Sequence, residues 1–475
     1  MNRIRNDKEA DAAVLRRMPP AIGEIIVRLN RGGYEAYVVG GCVRDALLGR
    51  EPHDWDICSS ALPQEVVDCF PERTVHPTGL KHGTVLLSWE GEGIEITTFR
   101  TEGGYSDHRH PDKVTFVRSL DEDLGRRDFT VNSMAFHPER GIVDPFGGQR
   151  DLRAGVIRCV GEAERRFQED GLRILRALRF ASRYGFTIEE ETARAMDRCR
   201  ELLRWIAVER IFQELKGILC GAGVGPLLLE HREIIALCLP ELRPTFDFDQ
   251  HNHNHCYDVW EHTVRSVENA PPDPVVRLAM LFHDIGKPET FALDERGVGH
   301  CLGHPEVSAK ITRAALRRMR CDRETMDAVA ELVAAHDHAG RNQPRGGARY
   351  DRNRFFTRRS VRRMLARMGE RQLRRLFHVM EADVKAQAPE TVPGKMEKLL
   401  SGYAMLDAVL AEGACFTIPD LAVNGRDLIA MGLKPGVFLG SVLKKLFREV
   451  LDGNLENNRD VLLAAARTYI ANENG

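Results

Sequence analysis

The hydrophobic rhythm of this chain changes near Glu162, and a single kind of secondary structure cannot satisfy both parts. Before that point, short apolar or alternating runs lie between glycine pairs. Residues 36–39 (AYVV), 83–89 (GTVLLSW), 93–99 (GIEITTF) and 113–117 (KVTFV) read as strands, and PAIGEIIVRLNR (20–31) reads as a helix stopped by Gly32 and Gly33. The run VGGCVRDALLGR turns through a glycine pair into a short helix, after which HDWDICSS (53–60) reads as a further strand. Beyond Glu162 the spacing is helical almost throughout, broken at Gly185, Gly221 to Gly225 and Pro271-Pro272. The expected fold is an α+β head with a mixed sheet, followed by an all-α body. At 475 residues the chain exceeds the roughly 250 to 300 that one core can serve, so several domains are expected, at 1–155, 156–245, 246–390 and 391–475.

No apolar run approaches the roughly 18 residues of a membrane span, and the N-terminal segment has no apolar stretch of signal-peptide length. Eleven cysteines without a CxxC pair fit a reducing cytoplasm. A net charge of −2 excludes a uniformly basic binder of nucleic acid, so contact with a polyanion must rest on local arginine. One such tract holds Arg341, Arg345, Arg349, Arg352, Arg354, Arg358, Arg359, Arg362, Arg363, Arg367, Arg371, Arg374 and Arg375, with Tyr350, Phe355 and Phe356 interleaved. Two readings remain open for it: a track for a phosphate backbone, or a solvated face paired with carboxylates.

Side chains two apart on a strand share a face about 6 to 7 Å apart, so Asp54 and Asp56 are expected to converge into the oxygen-rich seat that Mg²⁺ takes. Gly40 and Gly41 let backbone amides approach a triphosphate, and Arg44 offers a guanidinium to phosphate oxygens. These residues lie in GGCVRDALLGREPHDWDI (40–57), which resembles motif A of the class II nucleotidyltransferases, the bacterial CCA-adding enzymes and poly(A) polymerases. LGRRDFTVNSMAF (124–136), DPFGGQRDL (144–152), QEDGLRILRALRFASRYGF (168–186) and VERIFQELKGIL (208–219) resemble the four motifs that follow in that family.

The resemblance implies a nucleotidyltransferase head in which Asp54 and Asp56 are catalytic metal ligands and Gly41, Arg44 and Arg127 contact the nucleotide. Glu95 is either a third carboxylate near the metals or an outward strand residue, and Asp128 and Asn132 either face the ribose or are buried hydrogen-bonding groups. Cytosine and adenine both present an exocyclic amine beside an unprotonated ring nitrogen, which one acceptor and one donor can recognise. Asp170 and Arg173, expected at i and i+3 on one helix, supply that pair, and Arg176 and Arg179 are expected to reach phosphates beside it.

PTGLKHGTVLL (77–87) and ITTFRTEGGYSDHRHPDKVTF (96–116) resemble CCA-adding enzymes of Gram-positive-type bacteria, with a full-length loop hinged at Gly103-Gly104 and carrying Asp107 and Arg109. The implied activity is Mg²⁺-dependent, two-metal addition of CCA to tRNA 3′ ends from CTP and ATP, with neither DNA nor membrane as partner. The alternatives are a poly(A) polymerase, a CC- or A-adding partner enzyme, or an HD phosphohydrolase with a secondary role in RNA processing.

HNHNHCYDVWEHT (251–263), FHDIGKP (282–288) and GHPE (303–306) resemble the HD superfamily. That resemblance implies a divalent transition metal held by His262, His283, Asp284 and Asp383 from three helices, with His304 and His336 completing a second position. Such a centre either hydrolyses a phosphomonoester or cyclic phosphodiester or serves only as part of an RNA-holding body. His251 and His253 read as structural. Similar enzymes grip the tRNA elbow with C-terminal helices, which assigns that part to 416–475.

Overall fold

The computed structural model describes residues 7–79, 82–105, 111–252, 256–337, 356–412 and 416–473. It divides into two compact units, Met1–Pro240 and Glu241–Gly475.

In the first unit, the helix Pro20–Arg31 buries Ile22, Ile25, Ile26 and Leu29 and feeds the chain into β1 (Ala36–Val39), all four residues of which are buried. The other strands of the head are β2 (Ile57–Ser59), β3 (Val75–Gly79), β4 (Thr84–Trp89), β5 (Glu92–Thr98), β6 (Arg100–Gly103), β7 (Lys113–Phe116), β8 (Ala135–His137) and β9 (Gly141–Val143). Seven of them form one sheet in the order β3-β4-β5-β2-β1-β8-β9, with β2 parallel to β5 and the other pairs antiparallel. The head is therefore a mixed sheet with helices. Only β6 and β7 stay outside it, as a two-stranded ribbon that carries the loop at its tip. Asp107 and Arg109 of that loop lie outside the described residues.

The segment 53–60 differs from its expected form, because β2 begins only at Ile57 and Asp54 and Asp56 precede it. The cause lies in the neighbouring strand. After Val39, whose N–H donates to the Asp56 carbonyl at 3.0 Å, the chain turns at Gly40 (φ 82°) into the helix Gly41–Leu47. Past that turn β1 offers no further partner to the residues before Ile57.

The rest of this unit is helical, apart from the short parallel pair β10 (Val156–Ile157) and β11 (Thr187–Ile188). The expected single helix through Asp170 and Arg173 is two, Ala163–Glu169 and Leu172–Tyr184. Asp170 is extended (φ −144°, ψ 105°) and its Oδ1 accepts from the Leu172 N–H at 3.0 Å, the cap behaviour that aspartate favours over a helix interior. Gly171 sits so close to Leu202 that a Cβ would lie 3.0 Å from that residue's Cβ.

The second unit contains the helices Val259–Asn269, Pro274–Phe282, His304–Arg318 and Arg323–Ala335 and the hairpin of β12 (Phe291–Leu293) and β13 (Gly299–Cys301). The helix Arg358–Lys385, kinked at Gly369 (φ 74°, ψ 165°), packs on Val392–Ala411. The C-terminal helices Gly425–Ala430, Val437–Leu451 and Arg459–Glu473 close around a core that includes Leu428, Val442, Leu446, Leu462 and Ala466.

Among the described residues, six arginines of the tract pair with carboxylates of this unit. Arg358 and Arg362 reach Glu412 at 2.6 and 2.7 Å, and Arg359 and Arg363 reach Asp452 at 2.5 and 2.6 Å. Arg374 pairs with Glu370 and Asp407, and Arg375 with Asp273. Glu412 and Asp452 thus tie the first half of the kinked helix to the segments that follow it, and the paired reading of the tract prevails there. Arg341, Arg345, Arg349, Arg352, Arg354, Tyr350 and Phe355 lie outside the described residues.

Candidate active site and metal centre

A cleft of about 680 Å³ in the first unit is lined by Gly40, Gly41, Arg44, Asp54, Asp56, Arg127, Asp170, Arg173, Arg176 and Arg179. Residues from three separate sequence motifs thus share one cavity. At its acidic end Asp56 lies beside Asp54, and the parallel pairing of β2 with β5, in which Ile57 opposes Ile96, brings in Glu95. The Asp56 carboxylate is open to the cleft, yet the enclosing protein pushes its proton affinity up, Glu95 and Asp54 push further, and Arg127 opposes them. Two acids that raise the proton affinity of a third form with it a hard-oxygen donor set whose repulsion a divalent cation would relieve. The residues present therefore fit Mg²⁺. Glu95 is exposed, as an outward strand residue would be, and also acts electrostatically on Asp56.

The arginines opposite are held in place. Arg44 is buried, donates to both carboxylate oxygens of Asp45 at 3.0 and 3.1 Å and to Asn132 Oδ1, and stacks on Phe180 and Tyr184. Asn132 in turn donates to Asp128 Oδ1 at 3.0 Å, and Asp128 Oδ2 accepts from Arg176 at 2.6 and 2.9 Å. Burial alone would raise the Asp128 pKa, but Arg176 and Asn132 overcome it and hold the group at about 2. Asp128 and Asn132 are thus buried hydrogen-bonding groups that bridge Arg44 to Arg176. Arg179 pairs with Glu214 at 2.6 Å. Arg127 donates to Asp123 at 3.3 Å while its Nε is buried without a partner, and a Cβ on Gly40 would come within 3.0 Å of Arg127 Nη1. Glycine at position 40 therefore serves both a positive φ and the approach of that guanidinium.

Asp170 and Arg173 both line this cleft although the helix breaks between them. Arg173 donates to Glu169 at 2.7 Å and to the carbonyls of Arg166 and Arg126 at 3.1 Å each, which orients the remaining face of its guanidinium. Arg210 reaches Asp170 Oδ2 at 3.3 Å and leaves Nη1 buried without a partner. Glu169, Arg126 and Arg210 had no role assigned from sequence. Their only signal was membership of the same motifs.

In the second unit, His262, His283, Asp284, His304, His336 and Asp383 converge. His283 is the residue after its helix, and its Nδ1–H satisfies the Met280 carbonyl at 2.7 Å. His304 and His336 likewise bond carbonyls three residues back, and His262 the Ala386 carbonyl. Each ring thereby turns Nε2 inward. His262 Nε2 lies 3.2 Å from His283 Nε2, and His304 Nε2 lies 3.2 Å from His336 Nε2. Two bare lone pairs at that distance repel unless a proton or metal ion lies between them. Asp284 turns Oδ2 to the first pair, at 3.4 and 3.2 Å, and Oδ1 to the second, at 3.3 and 3.7 Å. Asp383 Oδ1 adds a contact of 3.0 Å to His262. Against burial, Asp284 and Asp383 pull the His283 pKa up to about 10, so the cluster demands positive charge that divalent ions would supply. Lys287 Nζ, 2.7 Å from both Asp284 Oδ2 and Gln250 Oε1, was missed from sequence despite standing three residues after Asp284. His251 stays outside the cluster, beside Asp249 and Phe291, and His253 lies outside the described residues.

The chain matches the Poly A polymerase head domain over 36–158, the "Probable RNA and SrmB- binding site of polymerase A" over 185–245, the HD domain over 252–385, and tRNA nucleotidyltransferase domain 2 over 362–466. It is 34% identical to a CCA-adding enzyme of Leuconostoc mesenteroides subsp. mesenteroides over 95% of this chain and 96% of that protein. With a CCA-adding enzyme of Geobacillus stearothermophilus it shares 36% identity over 93% and 94%. The crystal structure of the Bacillus stearothermophilus CCA-adding enzyme in complex with CTP superimposes with a TM-score of 0.67 at 32% identity, covering 96% of this chain and all of that one. With two acids and an Asp–Arg pair in one cleft, and relatives matched nearly end to end, this chain belongs to the family of CCA-adding enzymes, the tRNA nucleotidyltransferases.

Proposed function

We propose that this protein adds C, C and A to the 3′ end of tRNA, taking CTP and ATP as substrates. The observation that carries this reading is the single cleft in which Asp54 and Asp56 face Asp170 and Arg173. Asp54 and Asp56, with Glu95 behind them, would hold Mg²⁺. Bound there, the ions supply charge stabilisation to the attacking and leaving oxygens of an in-line transfer. Gly41, Arg44 and Arg127 line the cleft and border the triphosphate. Asp170 accepts from the exocyclic amine of cytosine or adenine and Arg173 donates to the adjacent ring nitrogen. Arg176 and Arg179, already fixed by Asp128 and Glu214, contribute positive potential beside the base.

Incubating the protein with tRNA that lacks its 3′ end, with each nucleotide alone and with CTP and ATP together, tests this directly. Sequenced products should end in CCA only with both nucleotides. Extension of any RNA by A alone would replace the reading with polyadenylation.

For the second unit we infer a divalent transition-metal centre on His262, His283, Asp284 and Asp383, with Asp284 bridging to a second position on His304 and His336. A metal ion held by these residues would supply the charge that lowers the pKa of a water enough for hydrolysis of a phosphoester. Measured by elemental analysis after dialysis, a His283→Ala variant should lose at least half of the bound Mn²⁺ or Ni²⁺ while its CCA addition stays unchanged. Metal content equal to that of the wild type would remove His283 from the ligand set. Every described cysteine is a free thiol, which suits work in the cytoplasm, and no described helix is long and apolar enough to cross a membrane.

A further inference from the structure

Cytosine and adenine present the same two groups to Asp170 and Arg173 in the reading above, so that pair does not tell one base from the other. The bases differ on the far side of the amine. There adenine carries N7, a second acceptor, whereas cytosine carries a C5–H that accepts nothing. A donor beside the residue that takes the amine, and apart from Arg173, would therefore meet adenine alone.

Arg210 stands in such a place. It lies in the first turn of the helix Val208–Leu219 and lines the transfer cleft together with Asp170 and Arg173. Its Nη2 donates to Asp170 Oδ2 at 3.3 Å, a long bond, and Nη1 has no partner at all. The guanidinium thus commits one of its five N–H groups while 29% of the side chain stays exposed. Asp170 is held more firmly, since Oδ1 accepts from the Leu172 N–H at 3.0 Å and Oδ2 takes Arg210. Each carboxylate oxygen has a second lone pair, so Asp170 keeps both bonds and still accepts from an amine. Arg173 is anchored separately, by Glu169 and by the carbonyls of Arg166 and Arg126.

We propose that Arg210 reads N7 of adenine, so that the cleft recognises ATP at three points and CTP at two. The contact between Asp170 and Arg210 sets an acceptor beside a donor, the same pairing with which the amide of asparagine or glutamine reads N6 and N7 of adenine. Guanine also carries N7, but it turns a carbonyl toward Asp170 and gains no admission from the added contact. This inference rests on the function proposed above and adds to it a residue that favours ATP over CTP.

The test is single-turnover extension of a tRNA ending in CC with ATP and with 7-deaza-ATP, in which a C–H replaces N7. Wild-type protein should use ATP about tenfold more efficiently than the analogue, the worth of one hydrogen bond to a charged group. Arg210→Ala should use the two alike, and its ratio of kcat/KM for ATP over CTP, the latter measured on tRNA lacking its 3′ end, should fall about tenfold. Arg210→Lys restores a donor without the fork and should recover part of the preference for ATP over the analogue. If Arg210 served only to prop Asp170, its loss would lower use of CTP and ATP together and leave that preference intact. Such a result, or equal use of both adenine nucleotides by the wild type, would overturn the proposal. A wild type that adds no A to this tRNA would overturn the CCA-adding reading and this inference with it, whereas A addition without preference for N7 overturns this inference alone.

Discussion

Replacing Asp54 with Ala is expected to reduce nucleotide incorporation by on the order of 10³-fold or more, since a metal ion's stabilisation of transition-state charge is worth several kcal/mol. Asp56→Asn should behave alike. The loss should come without unfolding. Burial raises the proton affinity of Asp56, and repulsion from Glu95 and Asp54 adds to it, so removing one acid relieves strain in the metal-free protein, and the thermal midpoint should hold or rise. Single-turnover incorporation on a truncated tRNA, run beside a melting curve, measures both. Retained incorporation in either variant would remove the metal assignment from that aspartate. Metal retention by the histidine cluster serves as the control, because its ligands all belong to the other compact unit.

The second large effect concerns choice rather than rate. Arg173→Ala deletes a donor whose loss leaves the site unable to distinguish a ring nitrogen from a ring N–H. A site built to hydrogen-bond its substrate rejects a mismatched one by on the order of 10⁴-fold, so the ratio of kcat/KM for CTP over UTP should collapse toward unity. Asp170→Ala should do the same from the acceptor side. Glu169→Gln makes a graded comparison. It keeps Arg173 but removes the charge that anchors it at 2.7 Å, so Glu169 acts as a positioning residue and its loss should blur selection by a smaller factor. Competition between CTP and UTP, read by sequencing the extended ends, reports all three. An Arg173→Ala enzyme that still excludes UTP would place base recognition elsewhere.

Much of this site is legible in the order of residues along the chain. The Gly40-Gly41 pair, the two aspartates after it and the Asp170/Arg173 pair lie on one cleft, and the histidines at 262, 283, 304 and 336 share one centre with Asp284 and Asp383. Such groups are legible because their chemistry restricts residue type: a hard cation needs carboxylates, and a close backbone turn needs glycine. Local geometry is less legible. Asp54 and Asp56 lie before a strand rather than within it because β1 ends at Gly40, a fact about a neighbour. Asp170 sits at a helix break, its Oδ1 capping the Leu172 N–H, and the adjoining Gly171 lies against Leu202, a residue of a later segment.

Sequence alone, through residue chemistry and motif order, determined the family, the α+β head on a helical body and the identity of both sets of acids and histidines. Only the tertiary structure decided which arginines remain available. Arg359 and Arg363 share the carboxylate of Asp452, and Arg176 is held by Asp128, partners tens of residues away whose approach depends on how helices pack. It alone also turned Asp284 to face two histidine pairs and set Lys287 against its Oδ2. Charge and hydrogen bonding act through space over a few ångströms, and separation along the chain carries no record of that distance.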